Sequence, residues 1–145
     1  MNDNYCTQHS CANPHVKMRL PRAQMPQFTR TSVKHLDSLM RNAGHKMRRT
    51  RVSPRDLRPS QNEISISIAN GILNKWKKNK HWEPLLISSD FSILDGHHRW
   101  LAMLTAMDLQ LLPATFKAKV RMYSTPGRET LRLARTIKTP HHRIK

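Results

Sequence analysis

Residues 89–102 read Ser89-Asp90-Phe91-Ser92-Ile93-Leu94-Asp95-Gly96-His97-His98-Arg99-Trp100-Leu101-Ala102, and the reading of the fold turns on this stretch. Phe91 to Leu94 is a short apolar run, Asp95-Gly96 is a turn signal, and Trp100, Met103, Leu104 and Met107 recur at helical spacing. The order expected is strand, tight turn, helix. Such a corner favours an anion, because the first N–H groups of a helix have no partner within it and the helix dipole leaves partial positive charge there. Arg99 adds a planar fork of donors suited to phosphate oxygens, and Gly96 lets a ligand or another backbone come close. Gly96, His98 and Arg99 are the expected phosphate-binding set. His97 and His98 are the expected proton carriers or metal ligands, with Asp95 orienting them or holding hydrated Mg²⁺. Each residue also has an ordinary reading, since Asp-Gly is a common turn and adjacent histidines point in different directions.

Composition sets the limits around this corner. A chain of 145 residues is expected to form one domain with a modest core. Lys plus Arg is 26 against 9 for Asp plus Glu, a formal charge of +17. That surplus calls for a polyanionic partner, most simply nucleic acid, with acidic nucleotides or an acidic protein as other candidates. No apolar run approaches a membrane span, and the N-terminus lacks a charged-then-apolar secretory pattern, so no membrane partner and a cytoplasmic location are expected. The two cysteines both lie near the N-terminus and make no disulfide framework.

Residues 1–15 read as a disordered leader, 16–137 as a single domain and 138–145 as a basic tail. Within the leader, Cys6, His9, Cys11 and His15 form no expected zinc site, because the spacing is cramped and nothing orients the histidines. Val16 to Leu20 alternates as a strand does. After Pro21 and Pro26, Thr31 or Ser32 is an expected N-cap for a helix with Val33, Leu36, Leu39 and Met40 on its apolar stripe, ending near Gly44. His45 to Arg58 is the densest basic stretch. There Arg48, Arg49, Arg51 and Arg55, together with Lys75, Lys77, Lys78 and Lys80 further on, are the expected nucleic-acid contacts. The competing reading is a solvated loop and edge strand.

Ile64-Ser65-Ile66-Ser67-Ile68 alternates like a strand, while Ile68, Ile72, Leu73 and Trp76 recur like a helix. A helix from about Ser65 is expected, started by Gln61-Asn62, with Trp76 in the core. Thr115 to Tyr123 reads as a strand with Phe116, Ala118, Val120 and Met122 on one face and Lys117, Lys119 and Arg121 on the other. That basic face either tracks a nucleic-acid backbone or is merely exposed. A last short helix carries Leu131, Leu133, Ala134 and Ile137.

Asp95-Gly96-His97-His98-Arg99-Trp100-Leu101-Ala102, preceded by Pro84-Leu85-Leu86-Ile87 and Phe91-Ser92-Ile93-Leu94, resembles the central motif of the ParB/sulfiredoxin superfamily. Leu57-Arg58-Pro59-Ser60-Gln61-Asn62-Glu63 resembles the upstream box of the same core, so the resemblance covers about half the chain, roughly Val52 to Met107. It is nearest in wording to the short phage-type ParB-like nuclease proteins, and it implies a ParB N-terminal/sulfiredoxin-like fold in a host cytoplasm. The free-serine kinases of the superfamily share the Asp-Gly-His-His-Arg form, and there a Glu near the position of Glu63 acts as catalytic base. The chain lacks the Cys that sulfiredoxins place beside the glycine, and has His97-His98 where CTP-hydrolysing partition proteins show Glu-Arg.

The expectation is an α+β domain with a small mixed sheet, helices packed on it and a phosphate site at the turn into the His97 helix. The activity expected first is a metal-assisted nuclease acting on DNA or other nucleic acid. In it His97, His98, Glu63 and Asp95 are catalytic, and Asp95 and Glu63 hold Mg²⁺ or Mn²⁺. The alternatives are a kinase, hydrolase or switch using ATP, ADP or CTP as its nucleotide at the same corner, and a non-catalytic DNA-binding or host-interacting accessory protein.

Overall fold

The computed structural model describes residues 30–61 and 64–136. The leader with Cys6, His9, Cys11 and His15, the strand expected over 16–20, Glu63, Ile137 and the tail 138–145 lie outside them.

Helix α1 (Arg30–Asn42) forms because Leu36 and Met40, one turn apart, are both fully buried. Thr31 and Ser32, expected before its first turn, lie within this range. It ends as expected at Gly44, whose φ of +86° lets its N–H reach Arg41 O at 3.0 Å while the His45 N–H reaches Met40 O at 2.8 Å. Strand β1 (Met47–Val52) follows, then a 3₁₀ turn (Pro54–Asp56) and the two-residue β2 (Arg58–Pro59). Next come α2 (Ile66–Asn79), β3 (Leu85–Ile87), β4 (Ser92–Asp95) and α3 (His97–Asp108). Strand β5 (Ala118–Tyr123) and helix α4 (Gly127–Ala134) complete the order.

The strands make one five-stranded sheet in the order β1-β5-β3-β4-β2. β1 and β5 are antiparallel, as are β3 and β4, whereas β3 with β5 and β2 with β4 are parallel. The α+β class with a small mixed sheet, expected from the sequence, is therefore observed. Strand alternation divides the core. Leu85, Ile87, Ile93, Ala118 and Val120 face α2 and α3, where Ala69, Trp100, Leu101 and Met103 meet them. Leu86, Leu94 and Tyr123 face the other way, against Leu36 and Met40 of α1 and Leu131 and Ala134 of α4.

Three local readings are corrected. The N-cap of α2 is Ser65, whose Oγ accepts the Ile68 N–H at 3.2 Å, and not Gln61-Asn62; a hydroxyl one residue before the first turn outcompetes the strand-like alternation around it. Ile68 is 46% exposed, so the buried stripe of α2 is Ala69, Leu73 and Trp76. β5 begins at Ala118, three residues later than expected, because its ladder partner β1 ends at Val52. Two polar ties then fix the helices on the sheet. The Trp100 indole N–H donates to Pro54 O at 2.8 Å. Asp90 Oδ1 accepts from Ser92 Oγ at 2.8 Å and from the Gly127 N–H at 3.2 Å, joining α4 to the turn before β4.

Candidate functional site

The turn between β4 and α3 has the geometry read from the sequence. Gly96 is the N-cap of α3 at φ +102°, and no side chain caps the helix. A Cβ there would stand 2.6 Å from Leu85 Cδ2 and 3.0 Å from Arg99 Nη1, so glycine is required twice, by conformation and by space. From this turn the expected site residues diverge. His97 is 5% exposed, and its Nε2 accepts the Ser60 N–H at 3.1 Å. His98 Nε2 accepts the Ser65 N–H, also at 3.1 Å. Two adjacent rings thus hold the two ends of the segment that runs from the upstream box into α2. Because Nε2 of His97 accepts, its one ring proton sits on Nδ1. Burial, with a smaller contribution from neighbouring His98, lowers its pKa to about 3, so the ring is neutral across the physiological range. That is the geometry of a structural staple between α3 and the upstream box.

Asp95 and Arg99 turn the other way. They line a hollow of about 680 Å³ beneath α1, together with Val33, Lys34, Asp37, Glu83, Pro84, Leu85, Leu86 and Arg121. Arg99 Nη1 donates to Pro84 O at 2.6 Å and to Glu83 O at 3.4 Å, which fixes one edge of the guanidinium. Burial raises the pKa of Asp95, while Arg99 and the Gly96 N–H pull it back down. Asp37 accepts the Tyr123 hydroxyl. Among the described residues no three of His, Cys, Asp or Glu gather as metal ligands. Asp95 is half-buried with the Arg99 guanidinium beside it, and the raised pKa that burial gives it competes with Mg²⁺ or Mn²⁺ for the carboxylate. Glu63, the other residue expected to hold the ion, lies outside the described residues.

The cations expected to contact nucleic acid fall on different faces. On β1, Arg49 pairs across the ladder with Arg121 of β5, and Arg51 pairs with Lys119. All four point to the α1 side of the sheet, in the alternation that sends Met47 and Tyr123 there. They line an open cleft of about 460 Å³ with Thr50, Pro84 and Val120, and no carboxylate is in that lining. None of the four makes an ion pair among the described residues. Arg48 alternates to the opposite face, opposite Met122. Arg55 is paired with Asp108 at 3.0 Å. Lys75, Lys77, Lys78 and Lys80 belong to the end of α2, on the face away from the cleft. Lys80 Nζ sits 4.5 Å from the centre of the Trp76 ring, which stacks on Trp82 at 4.9 Å and 13°. Lys119 and Arg121 were legible only as one face of a strand; their pairing with β1, which concentrates the charge, was not.

No helix among the described residues is long and apolar enough to cross a membrane. No family model, curated protein or solved structure matches the chain.

Proposed function

We propose that the protein binds nucleic acid through its phosphate backbone, with the β1–β5 cleft as the principal contact. The observation that carries this reading is the pair of like-charged rungs, Arg49 opposite Arg121 and Arg51 opposite Lys119, in a cleft with no carboxylate. Like charges directly opposite in a ladder are destabilising, by up to about 1 kcal/mol a pair, and a polyanion lying across them reverses the sign. The formal charge of +17 supplies the long-range attraction. The test is fluorescence anisotropy with labelled DNA and RNA at low salt. Arg49→Glu with Arg51→Glu weakens binding by at least about tenfold, two repulsive contacts replacing two attractive ones. Unchanged affinity in that variant removes the reading.

A second reading, phosphodiester hydrolysis at the turn into α3, has one observation in its favour. Arg121 and Pro84 line both the cleft and the hollow that holds Asp95 and Arg99, so a strand on the rungs lies next to that hollow. In that reading Arg99 stabilises charge on the phosphoryl group. Incubating the protein with single- and double-stranded DNA and RNA, with Mg²⁺ or Mn²⁺ added, decides it: cleavage lost in Asp95→Ala supports it, and intact substrates reject it. Saturable binding of ATP, ADP or CTP that Arg99→Ala abolishes, without cleavage, selects a nucleotide-dependent activity instead.

A further inference from the structure

The cleft and the hollow adjoin, yet their linings differ in kind. The cleft offers Arg49, Arg51, Lys119 and Arg121 and no acid. The hollow brings Asp37, Glu83 and Asp95 into one lining with Lys34, Arg99 and Arg121, over apolar walls from Val33, Pro84, Leu85 and Leu86; the Asp37 carboxylate accepts the Tyr123 hydroxyl and the Glu83 carboxylate pairs with His81 at 3.3 Å. A phosphate is favoured in the first, whereas in the second three acids offset the three cations and the net attraction is lost. A nucleobase has the opposite preference: its ring faces suit apolar walls, and its amino groups donate to carboxylates. The hollow's volume of about 680 Å³ lies in the range of small-molecule sites.

We propose that the hollow takes an unpaired base of a strand whose phosphates lie on the Arg49–Arg121 and Arg51–Lys119 rungs. The protein is then a single-strand binder that prefers bases carrying an exocyclic amino group. This rests on the cleft being a nucleic-acid contact and adds the strand form and the base. Two features support it. The rungs are two residues apart along a strand, roughly 6.8 Å, close to one nucleotide step of an extended strand. The shared lining residues Arg121 and Pro84 put the hollow next to the Arg49–Arg121 rung, within reach of the base that hangs from its phosphate. In a duplex the bases are paired and stacked, and none can enter without being extruded.

The test compares short labelled oligo(dC), oligo(dT) and a hairpin duplex of equal charge by anisotropy. Oligo(dC) is expected to bind tighter than oligo(dT) by about fivefold or more, since the cytosine amino group donates to Asp95 where thymine presents a carbonyl oxygen. Both are expected to bind tighter than the duplex. Asp95→Asn keeps the side-chain shape and is expected to reduce the oligo(dC) preference. Val33→Trp, at a half-buried position of α1, fills the hollow and is expected to abolish that preference while duplex binding is retained. Equal affinity for oligo(dC) and oligo(dT), or a duplex bound more tightly than either, overturns the inference while leaving the cleft a nucleic-acid contact. Absence of any nucleic-acid binding overturns both.

Discussion

The turn into α3 and the face of β1 and β5 both gather polar and charged side chains, and they treat them in opposite ways. At the turn, His97 and His98 each accept a backbone N–H, from Ser60 and Ser65, and Arg99 donates to Pro84 O. These groups join segments that are remote in sequence, and what they gain is a fixed backbone. On the β1–β5 face, four cations stand in two like-charged rungs with no acid in the cleft. None of the four makes an ion pair among the described residues, which is the basis for proposing a polyanionic partner there. A motif rich in catalytic residue types thus makes backbone contacts that fix the fold, while the arginines of an edge strand make no ion pair among the described residues.

Substitutions on the two sides should move stability in opposite directions. The largest effect belongs to Gly96→Ala, which forces a Cβ onto Leu85 Cδ2 at φ +102°. A loss of about 3 kcal/mol in urea denaturation is expected, and a change below about 0.5 kcal/mol would show that the turn relaxes freely. Next, His97→Ala strands the buried Ser60 N–H, for a loss of roughly 2–3 kcal/mol. The same ring sets an acid limit. Its pKa falls from 6.5 to about 3 on folding, so between those values the unfolded chain binds the extra proton. Stability held above pH 6.5 is then lost as pH falls toward 3, with a slope approaching about 1.4 kcal/mol per pH unit. Asp95, whose pKa is raised, works the other way and offsets part of this near its own titration range. His97→Gln should flatten the acid limb; an unchanged limb would assign it to other groups.

On the ladder the sign reverses. Arg49→Gln and Lys119→Gln should each leave stability unchanged or raise it by about 0.5 kcal/mol, because each removes a repulsion across the rung. A clear loss in thermal unfolding would mean that these cations hold the fold after all. The smallest effect is the control pair: Arg55 and Asp108 are 52% and 68% exposed, and a double-mutant cycle should give a coupling below about 1 kcal/mol.

The strand, turn and helix around Gly96 were legible because all the signals are local: an apolar run, Asp95-Gly96, then Trp100 and Met103 at helical spacing. The backbone contacts of the two histidines were not, since their partners lie 37 and 33 residues upstream and nothing in the motif names them. The start of α2 was half legible. The sequence around Ser65 alternates like a strand, and the cap that decides it depends on one hydroxyl. The basic surface was visible as composition but not as geometry. Arg49 and Arg121 become neighbours only when β1 pairs with β5, and the same pairing sends Arg48 to the other face. Lys75 to Lys80 looked continuous with the arginines until α2 packed on the opposite side of the sheet.

The claim that the β1–β5 cleft grips phosphates is tested most directly by the salt dependence of single-strand binding in the wild type and in the quadruple variant Arg49→Gln, Arg51→Gln, Lys119→Gln, Arg121→Gln. If two phosphates are neutralised there, one on each rung, the slope of log K against log salt should become shallower by about 1.4 while the fold persists. A slope that stays the same in the folded variant would contradict the account.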